Sequence, residues 1–331
     1  MSIVVAKSAG FCFGVSRAVE LVEQEAAKGK KVFTLGPIIH NRHVVSKFEA
    51  MGVGVLESAE DAIPGSTVII RSHGVARSVM ETLECKDVEI IDATCPFVKR
   101  IHGIVSKAEE EGRLPIIIGT RAHPEVEGIA GWCSKCLILE SPEEVENWIL
   151  QENPPRDLPI CMVSQTTSTE FLWKMCGEIA KKQFTNLKIF DTICRATEIR
   201  QTEAAELSKK CHAMVVVGYP KSSNTGRLAK ICREHCKTVA LVDNAGDLDP
   251  KLFCGAADVG ITAGASTPAW IIKEVNKTMS EIINVEAVQE DFATLLDQSI
   301  MTLNTGDKVM GIVTHIGNTE IQVDLGTKHA G

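Results

Sequence analysis

Short runs rich in valine and isoleucine recur through the first 284 residues, and each is followed by a loop of small or polar residues. Uninterrupted apolar runs of this length are typical of strands buried on both faces, and therefore of parallel sheets. Helical periodicity lies between them, at residues 16–30, 98–112, 171–184 and 197–211. The alternation of the two patterns predicts βαβ units and an α/β fold.

The apolar runs belong to a repeat. Cys12, Cys95 and Cys194 each close one run, and 28 residues after each cysteine another run closes at a polar residue, at His40, His123 and Ser222. Each copy has two more runs, which end at Ser58 and His73, at Ser141 and Thr166, and at Asn244 and Ser266. The repeat predicts three similar α/β domains of about four strands each, at residues 1–94, 95–193 and 194–284.

Ligands of open α/β sheets bind beyond the carboxyl ends of the strands. Most of the cysteines and polar residues that mark the repeat are predicted at such ends. The simplest arrangement is pseudo-threefold, with mostly parallel sheets around one centre and with each domain contributing one thiol and one polar loop.

The pattern changes after residue 284. Residues 285–300 are predicted to be a helical linker, and residues 301–331 show short alternating strands with Gly and Asn turns. That segment is interpreted as the beginning of a different, incomplete module.

Composition narrows the function classes. A net charge of −8 argues against a surface devoted mainly to nucleic acid. The N-terminus has no basic region before an apolar core, and no apolar run approaches a membrane span, so a cytoplasmic protein without membrane contact is expected. In that compartment the twelve cysteines are expected to be thiols or metal ligands rather than disulfides.

The three repeated cysteines suggest an iron centre. An iron–sulfur cluster normally takes four thiolates, so three protein ligands would leave one iron open to substrate. The alternative is three buried structural cysteines. Two other cysteine pairs, Cys133 with Cys136 and Cys232 with Cys236, lack a second ligand pair at zinc spacing and are interpreted as structural or redox-sensitive.

Two polar motifs could serve either in catalysis and binding or only in helix formation. Glu125 in AHPEVEG is a candidate proton donor, but acidic residues are also common in the first turn of a helix, where Pro124 would put it. Glu127 is expected to point elsewhere. The SSN of residues 222–224 offers donors to an anion at a helix start, or serves as a helix cap.

Eight motifs in order carry a resemblance: GFCFGVSRAVE, GPIIHN, RSHGV, DATCP, AHPEVEG, SQTT, SSNTGRL and TAGAST. Over about residues 1–284 the chain resembles the LytB family, the 4-hydroxy-3-methylbut-2-enyl diphosphate reductases. The resemblance implies three α/β domains around one [4Fe–4S] cluster that has three cysteine ligands and one open iron.

The resemblance also assigns roles to matching positions. Cys12, Cys95 and Cys194 match the cluster ligands. The residues that match the diphosphate pocket are His40, His73, Ser222, Asn224 and Ser266, with Ser223 adjacent. The group around the substrate hydroxyl matches His123, Glu125 and Thr166, with Glu125 as the proton donor.

The implied activity is reductive dehydroxylation of (E)-4-hydroxy-3-methylbut-2-enyl diphosphate to isopentenyl and dimethylallyl diphosphate, with ferredoxin or flavodoxin as electron donor. An iron–sulfur hydro-lyase, which needs no reductant, is the alternative enzyme.

The other alternative is an RNA-binding protein, because GDKVMGIVTHIGNTEIQVDLG resembles the opening strands of an S1 domain, an OB-type barrel. Some 30 residues cannot close such a barrel, so RNA contact is expected only through a complete S1 region.

Overall fold

The computed structural model describes residues 2–253, 256, 258–282, 312–316 and 321–324. Its strands are, in chain order, β1 (Ser2–Val5), β2 (Val32–Leu35), β3 (Gly54–Leu56), β4 (Thr67–Ile70), β5 (Glu89–Asp92), β6 (Leu114–Ile118), β7 (Leu137–Leu139), β8 (Ile160–Ser164), β9 (Leu187–Ile189), β10 (Ala213–Val217), β11 (Thr238–Val242), β12 (Asp258–Ala263), β13 (Ile312–Ile316) and β14 (Ile321–Asp324).

The described α-helices follow the strands in alternation. They are α1 (Phe13–Ala27), α2 (Arg42–Ala50), α3 (Arg77–Glu84), α4 (Pro96–Glu110), α5 (Pro124–Ala130), α6 (Pro142–Glu152), α7 (Glu170–Gln183), α8 (Arg195–Lys210), α9 (Ser223–His235) and α10 (Ala269–Ile282). Short 3-10 helices lie at Ala59–Asp61, Ala245–Asp247 and Pro250–Phe253. All four helices predicted from periodicity are present, and each begins one to three residues earlier than predicted.

The first twelve strands form three four-stranded sheets in which every pairing is parallel. Their orders are β3-β2-β4-β5, β7-β6-β8-β9 and β1-β12-β10-β11. The prediction of three parallel α/β sheets with four strands each is therefore confirmed. The repeated order also confirms that the three copies share one topology.

Sheet membership is offset by one strand from the sequence repeat. The strand before Cys12, β1, was assigned to the first copy, but it pairs with β12 of the third copy. The reason is that a parallel strand pairs with whichever sheet edge its connection reaches, which periodicity does not reveal. The runs that lead to Cys95 and Cys194, β5 and β9, likewise pair with the strands before them, β4 and β8, and this agrees with the predicted ranges 1–94 and 95–193. The boundaries 1–94, 95–193 and 194–284 stay a prediction.

The cysteines and polar residues that mark the repeat lie in the loops after the strands rather than at the last positions of the strands. Cys12 follows the end of β1 by seven residues, and His40 follows the end of β2 by five. The apolar run before each marker therefore includes a strand and the loop after it, which is the part that carries the candidate chemistry.

Residue contacts divide the chain into two compact units. The first contains Met1–Ser16, Ile39–Lys47 and Ala196–Gly331, and the second contains Arg17–Ile38 and Phe48–Arg195. The first unit holds the sheet with β1, β10, β11 and β12, and the second holds the other two sheets.

Successive side chains of a central strand point to opposite faces of the sheet, and both faces are buried. In the sheet with β6 and β8, Ile116 and Met162 pack on one face with Trp173 of α7, whereas Ile117 and Val163 pack on the other face among residues of α4 and α5. Burial of each such side chain contributes about 1.5–3 kcal/mol. The helices on both faces explain why the strands are apolar throughout.

The C-terminal strands β13 and β14 form an antiparallel pair. This agrees with the short strands predicted there, whereas the S1-like module stays a prediction. The linker predicted at 285–300 lies outside the described residues. In the described part of the chain, no helix is both long and apolar enough to cross a membrane.

Candidate functional site

Each of the three repeated cysteines directly precedes a helix. Cys12 is followed by the first residue of α1, Cys95 by Pro96 of α4, and Cys194 by the first residue of α8. The backbone N–H groups and the dipole of a helix N-terminus suit a bound anionic group. All three cysteines are half-buried, and none of the eleven cysteines in the described residues forms a disulfide.

The same hydrogen bond recurs at all three cysteines. The backbone N–H of Cys12 donates to Ala265 O at 3.1 Å, that of Cys95 to Ser72 O at 3.0 Å, and that of Cys194 to Thr166 O at 2.9 Å. The accepting residue is a predicted site residue or its immediate neighbour. Each cysteine is thus fixed to the loop that carries another candidate group, which the repeat alone did not predict.

The second unit brings six candidates into one run of contacts. Cys95 is bonded to Ser72, which precedes His73, and the rings of His73 and His123 meet edge to face with centroids 5.8 Å apart. His123 is the N-cap of α5, and its Nδ1 accepts from the backbone N–H of Glu125 at 3.1 Å.

Glu125 continues this run to the second cysteine. Its carboxylate is only 3% exposed and accepts from the Thr166 N–H at 2.6 Å and from the Thr166 hydroxyl at 2.7 Å. The Thr166 carbonyl in turn accepts from Cys194. A buried carboxylate and a hydroxyl are therefore joined beside a cysteine, which is an arrangement suited to proton transfer.

Glu127 faces a different environment. It lines a pocket of about 310 Å³ together with Arg71 and Val75, and Glu125 is not among the described residues of that lining. Burial lowers the pKa of Arg71, and the negative charge of Glu127 opposes that shift. The expectation that Glu125 and Glu127 point to different places is met in the geometry, whereas their roles stay predictions.

The first unit brings together another set of candidates. The Ser266 hydroxyl donates to the His40 backbone carbonyl at 3.2 Å, and the neighbouring Ala265 carbonyl accepts from Cys12. His40 therefore lies in the same unit as Ser266, although the sequence repeat assigned the two residues to different copies. Its loop is held there by side-chain contacts described below.

The start of α9 has a buried amide without hydrogen-bond partners in the part of the chain that the structure describes. Ser222 is the N-cap of this helix, yet its side chain makes no capping hydrogen bond. Asn224 is 4% exposed, and neither its Nδ2 nor its Oδ1 has a hydrogen-bond partner among the described residues. Buried amides without partners are costly, so a ligand that pairs with them is expected. Ser223 lies between them as the first residue of the helix.

A glycine brings the loops of this unit close together. Gly218, at φ +144°, follows β10, and a Cβ there would lie 2.6 Å from Thr267 Oγ1 and 2.9 Å from Thr225 Oγ1. Only glycine permits this backbone to approach those threonines. The loop before Ser222 and the loop of Ser266 are consequently packed against each other.

Two residues that the sequence reading missed hold the Cys12 loop. Arg200 of α8, 5% exposed, donates through Nη2 to Gly10 O at 2.7 Å. One turn along, the Glu203 carboxylate accepts from the N–H groups of Lys7 and Ser8 at 2.7 and 2.8 Å. Their three-residue spacing on a helix was a detectable signal, but their target lies about 190 residues away in the chain.

Asp243, also missed, holds the loop of His40. It follows β11, and its carboxylate accepts from Arg42 Nε at 2.6 Å and lies 3.3 Å from His43 Nε2. The carboxylate side chain is 6% exposed, so the pair is largely desolvated on that side. A polar residue directly after an apolar strand was the available signal.

The two other cysteine pairs lie apart from these contacts. The hydrogen bond between Cys133 and Cys136 raises the pKa of Cys133 and lowers that of Cys136. Cys232 and Cys236 are buried in the core beside α9, where burial raises the pKa of Cys232 to about 12. Burial is consistent with a structural role for the second pair, and the prediction of a structural or redox-sensitive role stays a prediction for both pairs.

A family model described as LytB protein matches residues 3–280, which is most of the chain. This chain belongs to the LytB protein family. The match ends where the α/β repeat ends and includes every candidate residue described above.

The names of similar proteins agree with this family assignment. A 4-hydroxy-3-methylbut-2-enyl diphosphate reductase of Caldanaerobacter subterraneus subsp. tengcongensis is 45% identical over 280 residues, covering 83% of this chain and 95% of that protein. The reductase of Clostridium tetani is 37% identical over an alignment of 341 positions, which includes 99% of this chain but only 51% of that longer protein.

Two solved structures are similar to this LytB chain. One is (E)-4-hydroxy-3-methyl-but-2-enyl diphosphate reductase, described as the terminal enzyme of the non-mevalonate pathway, with a TM-score of 0.63 and 37% identity over 85% of this chain and all of that one. The other is the Plasmodium falciparum E-1-hydroxy-2-methyl-but-2-enyl-4-diphosphate reductase, with a TM-score of 0.79 and 29% identity over 86% and 89%.

The three repeated cysteines of this LytB chain are not arranged to bind one metal ion together. Within the described residues, no three side chains of His, Cys, Asp or Glu lie close enough to share a single ion. In a cluster each thiolate binds a different iron. Three half-buried thiols outside disulfides, each at a helix N-terminus, are a donor set that fits such a cluster.

Proposed function

We propose that this chain is a 4-hydroxy-3-methylbut-2-enyl diphosphate reductase, an oxidoreductase of the non-mevalonate isoprenoid pathway. It converts (E)-4-hydroxy-3-methylbut-2-enyl diphosphate to isopentenyl and dimethylallyl diphosphate with release of water. The observation that carries the proposal is the run Glu125–Thr166–Cys194, because it joins a buried acid to a hydroxyl and to a candidate cluster ligand. The family match and the named relatives support it.

In this proposal Cys12, Cys95 and Cys194 hold one [4Fe–4S] cluster. When bound, a cluster with one iron that has no protein ligand supplies electrons and a Lewis acid. The protein fixes each ligand loop by the repeated backbone hydrogen bond, and Arg200 and Glu203 hold the loop of Cys12.

The diphosphate is bound by hydrogen-bond donors rather than by a magnesium ion. The unpartnered Asn224 amide and the Ser222 hydroxyl at the start of α9 offer donors in a place that also favours negative charge. Ser223, Ser266 and His40 of the same unit contribute further donors. His73 is also proposed to bind the diphosphate.

Glu125 supplies the proton that lets the hydroxyl leave as water. When Glu125 is protonated, the Thr166 hydroxyl, which donates to the carboxylate in the structure, can turn to accept the proton of Glu125 while it donates its own proton to the substrate. His123 caps the helix that carries Glu125 and so fixes the position of the acid. The backbone N–H of Thr166 holds the other carboxylate oxygen in place.

The electrons are proposed to come from a ferredoxin or a flavodoxin, and the protein is proposed to act in the cytoplasm. RNA contact is proposed only for a complete S1 region.

The test is turnover by protein purified and assayed without oxygen. Wild-type protein should contain about four irons and four sulfides per chain and should form both diphosphate products only when a chemical reductant is present. Cys12→Ser, Cys95→Ser and Cys194→Ser should each lose the visible absorbance or most activity, whereas Cys133→Ser should keep both. Turnover without reductant would instead indicate the hydro-lyase.

A further inference from the structure

His102 of α4 is a buried imidazole without a role in the proposed reaction. It is 4% exposed, and its Nε2 has no hydrogen-bond partner in the described part of the chain. Burial lowers the pKa of His102 to about 4, with Asp92 opposing and Lys99 adding to that shift, so the ring is neutral at neutral pH. An unsatisfied polar atom in a core lowers the stability of the folded state. An apolar side chain would avoid that cost, so the contacts of the ring are informative.

The ring lies between an indole and a backbone loop. It stacks on Trp132 with centroids 5.0 Å apart and planes 16° from parallel. Next to it passes Gly74 at φ +73°, where a Cβ would lie 2.6 Å from His102 Cε1 and 3.1 Å from a methyl group of Thr94. The backbone at Gly74 therefore runs directly against the imidazole.

Trp132 holds the next residue of the same loop. Its Nε1 donates to the Val75 carbonyl at 2.9 Å. The stacked pair thus contacts Gly74 and Val75, the two residues immediately after His73. The His73 ring itself meets the His123 ring at 5.8 Å. The position of His73 consequently depends on a loop that the stacked pair fixes.

We propose that His102 is a positioning residue, which with Trp132 clamps the loop at Gly74 and Val75 so that His73 is held for substrate binding. The proposal rests on the proposed function only for the role of His73. The effect of His102 on the mobility of the loop can be measured without substrate.

The kinetic test is a double-mutant cycle between His102→Ala and His73→Ala in the cluster-loaded full chain. His102→Ala should raise KM about 10-fold with kcat within about threefold of wild type, since it weakens positioning rather than chemistry. In the His73→Ala background the same change should raise KM less than about twofold, because the clamp no longer has a side chain to position. An equal factor in both backgrounds, or an unchanged KM, would overturn the proposal.

The matched control is Val105→Ala on the same helix. Val105 is fully buried in the core around β6 and β8, against which Trp132 also packs, but the side chains nearest to Gly74 are those of His102 and Thr94 rather than Val105. It should lower the melting temperature and leave KM unchanged, which separates loss of stability from loss of positioning. If His102→Ala does not fold, Trp132→Phe keeps a ring for the stack and removes the bond to Val75. It should raise KM about threefold, and an unchanged KM would count against the clamp.

The second arm is hydrogen exchange of residues 71–77 in the full chain. The Gly74 N–H donates to Arg71 O at 3.0 Å, so its exchange reports on the loop. His102→Ala should speed exchange in this segment about 10-fold, and Val105→Ala should not. If wild-type protein fails to turn over the diphosphate, the proposed function falls, and exchange alone decides this proposal. Faster exchange would uphold the clamp and unchanged exchange would overturn it.

Discussion

Glu125→Gln should stop proton delivery while leaving the site in place. The Glu125 carboxylate accepts two hydrogen bonds from Thr166, one from its N–H and one from its hydroxyl. A glutamine has the same shape and still offers its carbonyl oxygen to the N–H. The Thr166 hydroxyl can rotate to accept from the new amide. The loss is therefore confined to the transferable proton.

The size of the effect follows from this geometry. General acid catalysis contributes about 10²–10⁴-fold, so kcat should fall at least about 100-fold, or about 2.7 kcal/mol in the barrier, with KM near wild type. Glu125→Ala is a poorer test. It would leave the buried Thr166 N–H unpaired, at about 1–3 kcal/mol of folding free energy.

The assay is product formation under excess chemical reductant, with iron content measured for each variant. The control is Glu127→Gln, because Glu127 is exposed and lines the pocket with Arg71 instead. It should behave as wild type. If Glu127→Gln is the damaging change and Glu125→Gln is mild, Glu125 is only a first-turn residue of α5 and the proton assignment is wrong.

Asn224→Ala should weaken substrate binding roughly 10- to 100-fold, since one donor to a charged group is worth about 1.5–3 kcal/mol; binding that stays unchanged in titration calorimetry would reject the phosphate role. Asp243→Asn should raise KM severalfold by releasing Arg42 and the loop of His40, and a KM equal to wild type would show that the ion pair does not position His40. Because burial lowers the pKa of His102 to about 4 from 6.5, the unfolded chain binds a proton first as pH falls. The free energy of unfolding should therefore fall as the pH is lowered from about 6.5 to about 4. Urea unfolding at these two pH values should show a fall about 3 kcal/mol larger for the wild-type protein than for His102→Ala. Equal falls for the two proteins would contradict burial of a neutral ring. A chain ending at residue 284 should keep full reductase activity, and a loss would mean that the C-terminal segment belongs to the catalytic unit.

The elements of the fold were readable from local pattern. A strand buried on both faces must be largely apolar, so the central strands of the three sheets, such as β4, β6, β8 and β10, left a mark in the sequence. The pairing of β1 with β12 left none, because it joins residues more than 250 positions apart through backbone atoms. Backbone hydrogen bonds do not depend on side-chain identity, so sheet membership could not be read off the pattern.

The candidate site divides in the same way. Cys95, His123 and Ser222 were found because each closes an apolar run and the repeat spaces these runs regularly; in the structure each stands directly before a helix. Arg200 and His102 were missed because each sits within a helical pattern and acts on a loop distant in sequence. Their contacts are set by tertiary packing, which spacing along one element does not encode.

The electron stoichiometry tests the central claim most directly. Protein loaded with its cluster should be reduced anaerobically, mixed with (E)-4-hydroxy-3-methylbut-2-enyl diphosphate, and the electrons consumed compared with the isopentenyl and dimethylallyl diphosphate formed. The proposed reductase predicts two electrons per product molecule and no product without a reductant. Water loss without electron uptake, or no conversion by fully loaded protein, would contradict it.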